Sequence, residues 1–359
     1  MFHFKDFIVR YERYLSGASL LAGFVVDTLT LRRVDLLPET ILLYSYLGIA
    51  ALAIFLIHLM EENAAEGGVA ARFVPWLTFL LQFTFGGLFS AFLIFYSRSA
   101  SLSASWPFLA LLLFVFVGTE LFKRHHARLV FQLSIFYFAI FSFCVFSIPI
   151  AVGAIGSWVF VLSGVVSLVV FSLFVFLLRI TGRARIRARM PSIAFSIGAI
   201  FILINVLYFS NILPPIPLAL KEIGMYHSVS RTDAAYVLLG EAPPWYHAFS
   251  RPILHITEGE PLYVFAAVFA PVSLKTDVVH RWQYYDASVK MWKDSTVVRF
   301  PMIGGRDGGY RGFSLKYGVT PGLWRVSVET PNGQLIGRTT FTVEKVFELP
   351  PLEQTFRQH

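Results

Sequence analysis

In the segment HRWQYYD, His280, Trp282 and Tyr284 alternate with Arg281, Gln283 and Tyr285, and period-two spacing puts each trio on one face of a strand. An aromatic ring on such a face can stack on a sugar or lipid headgroup, with Arg311, Arg325 or His280 adding directed polar contacts. His280, Trp282, Arg311, Trp324 and Arg325 are therefore the candidate ligand or partner platform. The competing expectation is structural. Tryptophans at alternating strand positions, here Trp282 and Trp324, pack the core between sheets more often than they bind ligands, and His280 then hydrogen-bonds across the domain.

A second set of candidates lies in apolar surroundings. Asp27, His58 and Glu120 fall inside or at the ends of apolar runs, with Gln82 in another. An ionisable group at membrane depth is costly and suggests proton relay, ion coupling or catalysis. His58 and Glu120 are within about one turn of the ends of their runs and can reach water, so Asp27 bears the cost unless it finds a partner. A seven-span zinc hydrolase would need several His and Asp ligands at one membrane face, and the last apolar run, SIAFSIGAIFILINVLYF, has no histidine.

The remaining motifs are weaker. His125 and His126 in FKRHHAR are adjacent, point different ways on a helix and lack acidic or thiol partners, which suits a headgroup-facing cluster rather than a metal site. GGRDGGYRG, residues 304–312, lacks the Gly-Lys-Ser/Thr ending of a phosphate loop and reads as a flexible hairpin connection. No Ser-His-Asp, paired-carboxylate or nucleophile-elbow pattern emerges, so neither a metal nor a cofactor is expected.

What must position these residues is set by composition. The chain is 56% hydrophobic and 14% charged, against about 25% charged in soluble domains, which makes it a polytopic membrane protein. Apolar runs occur at about 15–31, 41–60, 74–96, 105–122, 129–150, 157–178 and 192–213, most of them near the roughly 20 residues a spanning helix needs. The first is short and carries Asp27. Residues 1–14 place Phe4, Phe7, Ile8, Tyr11 and Tyr14 on one helical stripe, an interfacial amphipathic helix, with no signal peptide apparent. Cys144 is the single cysteine, so no internal disulfide supports the fold.

Charge then orients the runs. Arg179, Arg183, Arg185, Arg187 and Arg189 fall within eleven residues between the last two runs. If all seven cross, the side holding the N-terminus and this connection carries 12 basic residues and the opposite side before residue 213 carries 3. Basic residues in short loops stay cytoplasmic, which puts the N-terminus inside and the C-terminal region outside. The same arginines meet anionic headgroups of the bilayer. The net charge of +8 is explained by such flanking residues, and nucleic acid is not an expected partner.

From Pro214 the character changes. Residues 214–251 read as a linker with short helices, 252–346 as β, and 347–359 as a tail. Short segments such as PLYVFAAVFA, STVVRFPMI and GLWRVSVET are rich in β-branched and aromatic residues, and Asn332-Gly333 between alternating runs predicts a hairpin. Six to eight such strands make a small antiparallel sandwich the expected fold, following an α-helical bundle over 15–213.

HRWQYYDASVKMW, YRGFSLKY, PGLWRVSVETPNGQLIG and TTFTV together resemble the bacterial family known as domain of unknown function 2914, and GASLLAGFVVDTLTLRRVDLL resembles the multi-span region that often precedes it. The resemblance implies location in the cell envelope, here the bacterial inner membrane with a periplasmic domain, and an Ig-like β-domain on a membrane bundle. It assigns no activity. The expected function is non-enzymatic: an anchored sandwich that binds an envelope glycan, lipid or protein partner as an assembly or accessory subunit. The alternative is a transporter or lipid-processing enzyme that uses acidic residues of the bundle.

Overall fold

The computed structural model describes residues 24–31, 36–63, 69–99, 101–121, 129–181, 183–232, 235–242, 251–272, 274–305 and 308–358. The expected interfacial helix at 1–14 and the pair His125 and His126 lie outside them. The chain forms two compact units. The first comprises Met1–Ser97, Ser105–Pro149 and Ser157–Leu213; the second comprises Arg98–Ala104, Ile150–Gly156 and Pro214–His359.

In the first unit residues 24–30 are helical. Six longer helices follow among the described residues: α1 (Leu37–Asn63), α2 (Val69–Ser99), α3 (Leu102–Leu121), α4 (Leu129–Val152), α5 (Ser157–Thr181) and α6 (Arg183–Phe209). Runs without water must satisfy their backbone internally, and a helix does so within one segment. Among the described residues five helices are long and apolar enough to cross a membrane: Leu37–Glu61, Phe73–Ser99, Leu129–Val152, Ser157–Ile180 and Ile186–Phe209. In α3 the apolar stretch is shorter, Ala104–Gly118, and the run expected at 15–31 lies partly outside the described residues.

Helix α4 is the hub of this unit: 72% of its membrane window is buried, against 28–50% for the other four. Its rings reach three neighbours. Phe138 stacks on Phe89 of α2 at 5.7 Å, Phe136 meets Phe174 of α5 at 4.9 Å, and Phe141 lies against Phe201 of α6 at 5.6 Å. Between helices in lipid the drive is packing rather than escape from water, and at these crossings aromatic rings supply the contact.

The arginine run departs from the expected loop. Arg183, Arg185, Arg187 and Arg189 occupy the first two turns of α6, ahead of Pro191, and Arg179 ends α5. Cations at a helix N-terminus oppose the macrodipole.

Among the described residues the second unit has eleven strands: β1 (Ala219–Tyr226), β2 (Ser228–Arg231), β3 (Ala235–Glu241), β4 (Ile253–Ile256), β5 (Leu262–Phe269), β6 (Lys275–Asp286), β7 (Met291–Ile303), β8 (Tyr310–Lys316), β9 (Gly322–Glu329), β10 (Leu335–Lys345) and β11 (Leu352–Gln358). They form three sheets, ordered β1-β5-β8, β4-β10-β9-β6-β7 and β11-β3-β2. The proposed linker therefore holds β1 to β3, and the proposed tail holds β11. Local pattern missed β1, β3 and β11 because β1 pairs with β5 and β3 with β11, in which Ala235 lies opposite Gln358; β2, which pairs with the adjacent β3, is only four residues long.

The β1-β5-β8 sheet is the middle layer. Leu262 and Val264 of β5 join Trp282, Trp324, Val326, Phe341 and Val343 in one core, and Ala266 and Val268 join Val278, Val328 and Met302 in a second. From the opposite face Phe265 packs with Val229, Tyr236 and Leu238 of the small third sheet. A strand covered on both faces reads as a continuous apolar run, which explains LYVFAAVF.

Candidate functional site

Strand β6 carries the alternation that the sequence suggested, and the fold gives its two faces different environments. Inward, His280 and Trp282 are fully buried, and Trp324 is 3% exposed. Ser314 of β8 ties them together. Its Oγ accepts from the Trp282 indole N–H at 3.0 Å and lies 3.0 Å from His280 Nδ1, bridging the middle and five-stranded sheets. The His280 ring meets Phe300 edge to face at 4.8 Å, and its Nε2 is buried without a hydrogen-bond partner. Burial pulls the His280 pKa down from 6.5 to about 4, so the imidazole is neutral. Gly312 is required here: a Cβ on it would sit 2.5 Å from the Phe300 ring.

The expected platform is thus divided. His280, Trp282 and Trp324 are core, whereas Arg325 belongs to the opposite, open face of the five-stranded sheet. Arg311 lies in β8 opposite Ala267, where its carbonyl accepts from Tyr236 O–H at 3.3 Å. Among the described residues no hydrogen bond or ion pair joins it to Arg325.

The open face carries a connected set that sequence reading only partly identified. Arg281 donates through Nε to Glu329 Oε2 at 3.0 Å and through Nη1 to Asp294 Oδ2 at 2.6 Å. Asp294 Oδ1 accepts from Gln283 Nε2 at 2.6 Å, and Gln283 Oε1 accepts from Arg325 Nε at 2.6 Å. The Arg325 guanidinium lies 4.2 Å from the Trp292 ring centroid, and Trp292 meets Tyr285 edge to face at 5.4 Å. Alongside, Arg338 Nε donates to Ser327 Oγ at 2.9 Å. The two carboxylates raise the Arg281 pKa, chiefly through the Glu329 hydrogen bond; desolvation first, then the charge of Arg338, lowers that of Arg325.

Register explains the grouping. Opposite one another are Gln283 and Arg325, Gln283 and Asp294, Tyr285 and Trp292, and Arg281 and Ser327. A shift between Trp282 and Gln283 against β7 re-aims the face. Trp292, Asp294 and Glu329 were missed because that pairing is not written in any one strand, although alternation in MWKDSTVV was a usable signal.

A third cluster had no sequence signal. Glu241 Oε1 accepts from the His255 backbone N–H at 2.7 Å and lies 3.1 Å from His227 Nε2, while its Oε2 lies 2.8 Å from His255 Nδ1. These contacts fasten β3 to β4. Two imidazoles and a carboxylate invite a metal, yet among the described residues no group of three His, Cys, Asp or Glu could hold one.

In the bundle, Asp27 accepts from Ser90 Oγ at 2.5 Å. His58 is 1% exposed in α1, and Glu120 falls in α3. Among the topology residues, Arg187 and Arg189 are exposed.

Fold and site define a class: apolar helices compatible with a multi-pass membrane protein, followed by an antiparallel β-rich region with a polar, aromatic sheet face. Residues 275–343, from β6 into β10, match the family described as "Protein of unknown function (DUF2914)". No curated protein sequence matches the chain. Among solved structures, a β-glucosidase from Listeria innocua is similar at 14% identity and TM-score 0.20, covering 33% of this chain and 17% of that one. A β-glucosidase from Kluyveromyces marxianus is similar at 10% identity and TM-score 0.17, covering 38% and 15%. The DNA glycosylase AlkC of Pseudomonas fluorescens covers 84% and 97% at 10% identity and TM-score 0.21. Scores of this size carry no argument about fold or activity.

Proposed function

We propose that this chain is a multi-pass protein of the bacterial inner membrane that presents its β unit outside the cytoplasm and there binds an envelope glycan, lipid or protein partner without chemical turnover. The open face of the five-stranded sheet is the binding surface. The observation that carries this reading is the hydrogen-bonded series from Glu329 through Arg281, Asp294 and Gln283 to Arg325 on Trp292. A core needs no such series, since buried apolar side chains alone would hold the sheet; on an open face it fixes side chains in advance, which lowers the cost of binding.

Supporting the orientation, basic residues favour the side of Arg179 to Arg189 over the side of Arg98 and residue 214. Supporting an Ig-like sandwich with the bundle as its seven-span anchor, two sheets share a core centred on Trp282. The test is copurification of the full chain from mild detergent, unaltered and as Tyr285→Ala and Trp292→Ala. Loss of a stoichiometric partner from the variants, with their folding intact, supports the reading. Retention of every partner by both variants ends it.

A further inference from the structure

The ligand class at this same surface can be named, on the strength of the reading above. The two carboxylates of the series are already engaged. Asp294 is held by Arg281 and Gln283, and Glu329 by Arg281. Arg325 hydrogen-bonds only the neutral Gln283 amide oxygen and lies over the Trp292 ring, with Glu329 and Asp294 acting on it at longer range, and Arg338 hydrogen-bonds only the Ser327 hydroxyl. Among the described residues neither has a carboxylate within 4.0 Å, and in both the Nη atoms make no hydrogen bond.

Strand register brings this pair together. Arg325 lies opposite Thr340 and Arg338 opposite Ser327, so the two arginines are diagonal neighbours on one face, roughly 7–8 Å apart by ladder geometry. Each is tethered through Nε to a neutral acceptor, and the Arg325 guanidinium also lies over an indole. Like charges so placed repel unless an anion lies between them, and a guanidinium edge matches the two oxygens of a carboxylate.

We infer that Arg325 and Arg338 form the anion-binding pair of this face and take the carboxylate of an acidic saccharide. A saccharide fits better than an anionic bilayer. Asp294 and Glu329 on the same face would repel a uniformly negative surface, whereas Gln283, Tyr285 and Thr340 beside the arginines suit hydroxyl groups and sugar-ring edges.

The test uses the full chain in detergent micelles, with oligogalacturonate, neutral maltooligosaccharide and phosphatidylglycerol vesicles as probes in calorimetry or flotation. Oligogalacturonate should bind, weaken with added salt, and lose at least tenfold in affinity in both Arg325→Gln and Arg338→Gln. Arg325→Lys, which keeps the charge and loses the fork, should fall between unaltered protein and Arg325→Gln. Absence of oligogalacturonate binding, or equal binding by both Gln variants, overturns the inference. So does binding confined to the vesicles. If maltooligosaccharide binds as well as oligogalacturonate and Tyr285→Ala abolishes both, the acidic specificity fails while the open face stands as the binding surface.

Discussion

Ser314 is the side chain on which most depends at the residue scale. Its hydroxyl serves both Trp282 and His280, and Ser314→Ala strands the indole N–H and deprives the imidazole in a dry interior, at about 1–3 kcal/mol. Thermal unfolding of the detergent-solubilised chain, followed by tryptophan emission, should show the loss. His280 adds a pH dependence. Folded, it takes a proton only near pH 4; unfolded, near 6.5. Between these values the unfolded chain holds more protons, so stability is full above about 6.5 and declines toward 4, by at most about 1.4 kcal/mol per pH unit. His280→Phe should flatten that part of the profile, and an unchanged slope would assign it elsewhere. Asp27 already has Ser90 as a donor, so stably inserted Asp27→Asn should preserve activity in cells; loss of activity would revive the transporter or enzyme alternative.

At the scale of elements, strands with local signals were legible and strands with distant partners were not. GLWRVSVET forms a strand as expected, with Trp324, Val326 and Val328 in the core and Ser327 and Glu329 also buried, and the chain turns at Asn332-Gly333, with Gly333 at φ 83°, into the antiparallel β9-β10 pair. The continuous run of β5 was visible as a strand, but its two-sided burial depended on β2 and β3, which were taken for linker. For the site, sequence spacing separated Arg281, Gln283 and Tyr285 from His280, Trp282 and Tyr284. It could not say which face was closed, because closure depends on β5 and β8. Strand β11 offers a direct check. Removing residues 352–358 leaves the long edge of β3 unpaired and deletes Arg357, which holds Glu222 of β1 at 2.8 Å. Limited proteolysis should then open the segment 228–241, and persistence of protection there would make β11 dispensable.

For the whole molecule, the arginines of α5 and α6 set the expected orientation. Four of them fall in the first two turns of a helix, where cations oppose the macrodipole, so local helix stability does not explain their presence. Replacing Arg179, Arg183, Arg185, Arg187 and Arg189 by glutamate should disturb insertion, read by a C-terminal reporter active on only one side of the membrane. A reporter distribution unchanged from the parent protein would shift the determinant to other connections.

The pairing of β3 with β11 also bears on how the protein is made. More than a hundred residues separate Ala235 from its partner Gln358, and every other strand after β3 lies between them. While the ribosome is still delivering those residues, β3 has only the four-residue β2 beside it. The third sheet therefore cannot complete its ladder until residue 358 has emerged, a non-local pairing that forms late. Until then the β3 edge from Ala235 to Glu241 presents unpaired backbone groups, a surface suited to capture by chaperones or to quality-control cleavage.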